Sequence, residues 1–115
     1  MVVDDEEDLI EIVQTHLQEA GYRVISASSG RDGLAAAQRF KPDLIILDIA
    51  MPGMDGLEML ERLRGTPGLA TTPVLMLTAR GRTENIFESE RLRVVDFLIK
   101  PFTYDELVNA VRKAV

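Results

Sequence analysis

The 115 residues carry a net charge of −6, with 46% hydrophobic and 28% charged residues and no cysteine. That length fits one ordinary domain with a single core; the acidic balance without any Lys/Arg run disfavours nucleic acid or an anionic membrane as a direct partner, and the lack of Cys excludes disulfides and thiolate metal sites. No apolar run approaches the roughly 20 residues of a membrane span and no signal-peptide pattern follows Met1, so the cytoplasm is the expected location.

Residues 1–3 are an apolar stub that reads as the end of a first strand and runs straight into the acidic pair Asp4-Asp5. A helix follows. Glu6, Glu7 and Asp8 put negative charge at its amino end, where the macrodipole favours it, and Leu9, Ile10, Val13, Leu17 and Ala20 form one apolar stripe before Gly21 stops it. The single histidine, His16, falls near the edge of that stripe and reads as a plain surface or boundary histidine. Residues 22–27 are the second predicted strand; Ser28-Ser29 can then cap a helix with an alanine-rich body over 34–40, broken by Lys41-Pro42-Asp43.

Residues 44–47 are four consecutive apolar, β-capable positions that end abruptly at Asp48, and a turn rich in Pro, Gly and Asp runs on to Gly56. A strand apolar on both faces belongs inside a parallel sheet, where ligands bind beyond the carboxyl ends of the strands. The third helix carries Leu57, Leu60 and Leu63 and is ended by Gly65 and Pro67. Residues 73–77 repeat the pattern of the third strand, ending in Thr78 and Ala79. A weakly amphipathic stretch over 83–92 is the fourth helix candidate. Residues 94–99 make the fifth strand, which delivers Lys100 and Pro101, and residues 104–115 close the chain as a helix with Leu107, Val111 and Val115 inward. Strands alternating with helices imply right-handed crossovers and a sheet covered on both faces. The expected architecture is α/β: a three-layer α/β/α sandwich with a five-stranded parallel sheet, forming one domain over 1–115.

The strand ends collect Asp4, Asp5, Asp48, Thr78 and Lys100. Three carboxylates held close together raise each other's pKa unless a cation offsets them. The donors are hard oxygens without His or Cys, which points to Mg²⁺, with Mn²⁺ able to substitute. A carboxylate beside such an ion, facing a hydroxyl and an ammonium, is equipped to attack a phosphoryl group and hold the acyl phosphate. Asp48 is the expected nucleophile. Lys100 would pair a phosphoryl oxygen, and the Thr78 hydroxyl and the backbone N–H groups of Ala50 and Ala79 would hydrogen-bond the rest.

On Val2-Val3-Asp4-Asp5-Glu6, the run from Asp43 through Asp48 to Gly56, Leu77-Thr78-Ala79 and Lys100-Pro101-Phe102, the chain resembles receiver domains of the two-component response-regulator family over nearly its whole length. The resemblance implies a flavodoxin-like, doubly wound sheet of order 2-1-3-4-5 and phosphorylation of Asp48 by the phosphohistidine of a histidine kinase or phosphotransfer protein. It implies Mg²⁺ on Asp5, Asp48 and the Ala50 carbonyl, with Asp4 acting through water, and a cis bond at Lys100-Pro101. Its switch pair falls on Thr78 and Phe97: Thr78 moves toward the phosphoryl group and Phe97 turns into the vacated space, altering the face of the fourth helix, fifth strand and last helix that controls an output domain or effector. Beyond its own phosphotransfer and slow dephosphorylation, such a domain is not an enzyme, and a phosphorylation-dependent homodimer is within its repertoire.

Two departures stand out. The small pair, usually Gly-Ala, before the fifth strand is Val94-Val95 here, and Ala110 stands where receivers joined to winged-helix DNA-binding domains commonly carry an arginine paired to the acid kept here as Asp96. The segment 80–94 is expected to be the least stable part of the fold, ordered by phosphorylation, because its helix candidate offers only Ile86, Phe87 and Leu92 for burial among many charges. Two other classes fit less well. A haloacid-dehalogenase-type hydrolase needs a second acid where Ala50 stands, and an FMN module needs a phosphate loop where Asp4 to Asp8 would repel one.

Overall fold

Strands that are apolar on both faces must lie between two layers, and those of the computed structural model do so. It describes residues 1–51, 53–79 and 92–115. Strands β1 (Val2–Val3), β2 (Ser26–Ala27), β3 (Ile45–Asp48), β4 (Val74–Ala79) and β5 (Asp96–Lys100) form one sheet, all parallel, in the order β2-β1-β3-β4-β5. Successive residues point to opposite faces. Val2, Ile46, Leu75, Leu77 and Leu98 join one core with α1 (Glu7–Glu19) and the C-terminal helix α4 (Tyr104–Ala114). Val3, Ile45, Leu47, Val74 and Met76 join a second core with α2 (Gly30–Phe40) and α3 (Gly56–Arg64). These two cores on one sheet are the three layers expected from the sequence.

Helix starts follow local chemistry. The Ser29 hydroxyl accepts the Asp32 N–H at 3.1 Å, and Asp55 Oδ1 accepts the Glu58 N–H at 2.8 Å. Thr103 and Glu106 close a reciprocal capping box on α4. His16 is half-buried on α1 and meets Tyr104 of α4 edge-on, 5.0 Å between ring centroids, so it belongs to the seam between the two helices.

Three boundaries differ from the sequence reading. Of residues 22–27 only Ser26 and Ala27 are in the ladder, because β1 ends at Val2 and Val3 on that side; the Val2 N–H reaches the Ile25 carbonyl, and Tyr22 and Val24 pack against the core without ladder bonds. β4 continues past Leu77 to Ala79 because β5 supplies partners, Thr78 opposite Ile99 and Ala79 opposite Lys100. β5 runs over Asp96–Lys100 instead of 94–99, and the left-handed residue that precedes the Val94-Val95 pair is Arg93, φ 63°. The fourth helix candidate lies outside the described residues except for Leu92, as does the expected weak segment except for residues 92–94.

The Arg93 conformation, unfavourable for a residue with a Cβ, is held from α3. The Arg64 guanidinium donates to the carbonyls of Leu92 at 2.8 Å, Thr72 at 2.8 Å, Arg93 at 3.2 Å and Ala70 at 3.3 Å. One side chain thereby ties the end of α3 to the connection entering β4 and the turn entering β5.

Candidate functional site

Parallel strands that stop in register bring their C-terminal residues to one edge. Asp48 of β3 pairs with Leu77 of β4, one residue short of Thr78, and Ala79 pairs with Lys100 of β5. Asp4 and Asp5 leave β1 beside them. Asp4 is fully buried and Asp48 and Thr78 nearly so, while Asp5 is exposed.

Buried carboxylates need partners. Asp4 Oδ1 accepts the Glu6 N–H at 2.9 Å and its Oδ2 accepts from Lys100 Nζ at 3.0 Å. Asp48 Oδ1 accepts the Ala50 N–H at 3.3 Å and lies 3.4 Å from Lys100 Nζ. The Thr78 hydroxyl donates to the Ala79 carbonyl at 3.4 Å. Asp48, Ile49, Ala50, Thr78, Ala79, Lys100 and Glu6 enclose a cavity of about 210 Å³. A larger hollow of about 440 Å³ lies between α1 and α2 at the β2 edge, lined by Glu7, Ile10, Ser26, Ala27, Ser28 and Asp32. It brings no cation to face its two acids, so we place the chemistry in the smaller cavity.

Burial pushes the Asp48 carboxyl up to about 6, and the Asp4 charge adds to the rise, against the opposing pull of Lys100 and the Ala50 N–H. For Lys100, burial works to lower the pKa but is outweighed by the Asp4 hydrogen bond and the Asp48 charge, which hold the ammonium above its ordinary value. One cation therefore leaves the acids undercompensated. Asp4, Asp5 and Asp48 each offer a carboxylate oxygen, all within 4.8 Å of one another, a set that could hold a metal ion. Three hard oxygen donors and a surplus of negative charge suit a hard divalent cation.

Every site residue expected from the sequence thus lies at this edge apart from Phe97, which is half-buried in β5, packed against the α2–α3 side core opposite Met76. The Lys100–Pro101 peptide bond is cis. Asp96 Oδ1 accepts the Phe97 N–H at 2.8 Å, and Ala110 is buried in the core beneath α4. The charged pocket residue to which the sequence reading gave no site role is Glu6, read there as helix-end charge and as the last residue of the first motif; it reaches within 3.6 Å of Lys100 Nζ. Its position directly after the acidic pair was the available signal.

Comparison with known proteins agrees with this geometry. The sequence model described as response regulator receiver domain matches residues 1–112. The alkaline phosphatase synthesis transcriptional regulatory protein PhoP of Bacillus subtilis is 41% identical over 115 residues, which is all of this chain and 47% of that protein. The transcriptional regulatory protein KdpE of Mycobacterium tuberculosis is 36% identical over the whole chain and 50% of its own length. The chain spans about half the length of the curated relatives it matches. Among solved structures, the chemotaxis protein CheY4 of Vibrio cholerae superposes with a TM-score of 0.93 at 35% identity, over 99% of this chain and 95% of that one. The receiver domain of NtrX from Brucella abortus gives 0.91 at 32% identity, over 98% and 94%. With its sheet order, its acidic edge and a family match over nearly all its length, the chain belongs to the response regulator receiver domains of two-component signalling.

Proposed function

We propose that Asp48 is the phosphoacceptor of this receiver domain and that residues 1–115 act as one phosphorylation-operated switch. The observation that carries the reading is the convergence of Asp4, Asp5, Asp48, Thr78 and Lys100 on one end of the sheet, around a cavity of about 210 Å³. An Asp48 carboxylate oxygen attacks the phosphorus of a phosphohistidine or small phosphodonor, forming an O–P bond as the bond to the leaving group breaks. Lys100 turns from the carboxylates to a phosphoryl oxygen, and the Thr78 hydroxyl and the N–H groups of Ala50 and Ala79 receive the others. Mg²⁺, for which Mn²⁺ can substitute, would be held by Asp5, Asp48 and the Ala50 carbonyl with Asp4 acting through water, and supplies neutralising charge to the phosphoryl oxygens.

The donor in this reading is a histidine kinase or phosphotransfer protein, and its ATP supply sets the domain in the cytoplasm. Thr78 and Phe97 relay the change to the face around β5 and α4, where an output domain or effector is controlled; the domain performs only its own phosphotransfer and slow dephosphorylation. A transcriptional output is the reading favoured by PhoP and KdpE, whose names state that role and which extend to about twice the matched length. Any phosphorylation-dependent homodimer on this face must do without an arginine at 110 to pair with Asp96.

Intact-mass measurement after incubation with acetyl phosphate tests the reading. One phosphoryl adduct is expected with Mg²⁺ or Mn²⁺, none in EDTA and none in Asp48→Asn. An adduct that persists in Asp48→Asn, or forms equally in EDTA, overturns the assignment.

A further inference from the structure

Lys100 offers three N–H donors, and three carboxylates surround it: Asp4 at 3.0 Å, Asp48 at 3.4 Å and Glu6 at 3.6 Å. Asp4 takes a hydrogen bond from it and the other two are ion pairs, so a phosphoryl oxygen that approaches this ammonium competes with them for its charge. Asp4 is fully buried and also accepts the Glu6 N–H, and Asp48 is held by the Ala50 N–H and is the attacking group. Glu6 is different, with a side chain 66% exposed at the mouth of the cavity. It occupies the N-cap of α1, where a shorter Ser, Thr, Asp or Asn would turn back to the helix N–H groups; Glu6 makes no such cap and extends to Lys100 instead.

We propose that Glu6 is a positioning residue for Lys100, holding the ammonium in the unphosphorylated domain and thereby slowing phosphoryl uptake from small anionic donors. The inference rests on the phosphoacceptor reading above. Phosphoryl transfer exchanges the Glu6 contact for a phosphoryl contact, so the strength of the first subtracts from the gain of the second. The contact is long and open to solvent, so its influence is that of an exposed ion pair, about two- to fivefold in rate or affinity. Small acyl phosphates meet this barrier fully. A docked donor protein brings its own contacts and depends on it less, so Glu6 biases the domain toward protein donors.

Acetyl phosphate uptake, followed by intact mass at saturating Mg²⁺, and beryllofluoride affinity are compared in the wild type, Glu6→Gln and Glu6→Asp. Glu6→Gln removes the charge. Glu6→Asp keeps it but is one methylene shorter and able to cap its own helix, which breaks the reach to Lys100. Both variants are expected to take up phosphate and bind beryllofluoride about two- to fivefold better, with the thermal midpoint unchanged in Glu6→Gln and equal or higher in Glu6→Asp, which gains a cap. A gain in Glu6→Gln alone shows that charge at the mouth acts and not the Lys100 contact, and overturns the proposal, as does no gain in either. A wild type that takes up no phosphate overturns the phosphoacceptor reading itself, and is recognised without either variant.

Discussion

Asp48 and Asp4, both buried, share one ammonium, and the mismatch in charge has a cost that changes sign with the metal. The Asp48 carboxyl sits at about 6 against an ordinary 3.8, so the folded state binds its proton more tightly than the unfolded state does. The penalty is absent below about pH 3.8 and complete above about pH 6, where it is worth on the order of 2–3 kcal/mol at most. In EDTA at pH 7.5, Asp48→Asn should therefore melt several degrees above the wild type, and the gap should narrow as the pH falls below 6 and close only near pH 4. In saturating Mg²⁺ the order should reverse, because the amide is the poorer ligand. An Asp48→Asn variant less stable than the wild type in EDTA would show that Lys100 already compensates the charge. Asp5 and Lys100 should separate in titrations. Asp5→Ala should weaken Mg²⁺ binding at least about tenfold, while Lys100→Ala should keep Mg²⁺ but bind beryllofluoride poorly; unchanged metal affinity in Asp5→Ala would place the ion elsewhere. At this scale the sequence was informative wherever backbone position alone fixes a role. Asp48 and Lys100 end strands and Thr78 stands one residue before the end of β4, so the ladder aims them. Glu6 was missed because its role depends on which way a long exposed side chain turns.

Strand β3 and helix α3 meet so closely that one residue type decides the junction. The Gly56 N–H donates to the Ile49 carbonyl at 2.8 Å, and a Cβ at Gly56 would sit well inside van der Waals contact distance of the Asp48 carbonyl oxygen and 2.8 Å from Ile49 Cα. Gly56→Ala should cost about 1–3 kcal/mol by overpacking, and it should also slow phosphoryl uptake because the strain falls on the backbone of Asp48. Thermal melts and intact-mass time courses check both; an unchanged midpoint would mean that the junction yields freely. The sequence marks Gly56 only as a turn residue, since close approach of two elements is a tertiary fact. β2 was read too long for a related reason: β-capable residues at 22–25 do not themselves say which of them a neighbouring strand pairs with, and the ladder holds only Ser26 and Ala27, opposite Val2 and Val3. The Arg64 clasp was invisible for the same reason. Its acceptors are backbone carbonyls at 70, 72, 92 and 93, brought together by folding and unmarked by any residue type.

At the largest scale the described residues form a sheet with two cores, α1 and α4 on one side and α2 and α3 on the other, and the cluster of Asp4, Asp5, Asp48 and Lys100 lies at the edge where β1, β3 and β5 end. The layers follow from strand runs such as 44–47, apolar at every position, which no two-layer fold could bury. Strand order follows from the resemblance and not from periodicity, because nothing in a single strand says which neighbour it pairs with. The Arg64 hydrogen bonds run between α3 and the turn into β5, away from the acidic edge, so β5 is anchored at its start and ends in Lys100 at the site. That leaves Asp48 as the centre of the account, and borohydride trapping addresses it most directly. Hydride reduces an acyl phosphate to an alcohol, converting a phosphorylated aspartate into homoserine that peptide mass spectrometry locates. After acetyl phosphate and Mg²⁺, homoserine is expected at position 48 and nowhere else; homoserine at position 4, 5 or 55, with Asp48 unchanged, would contradict the assignment.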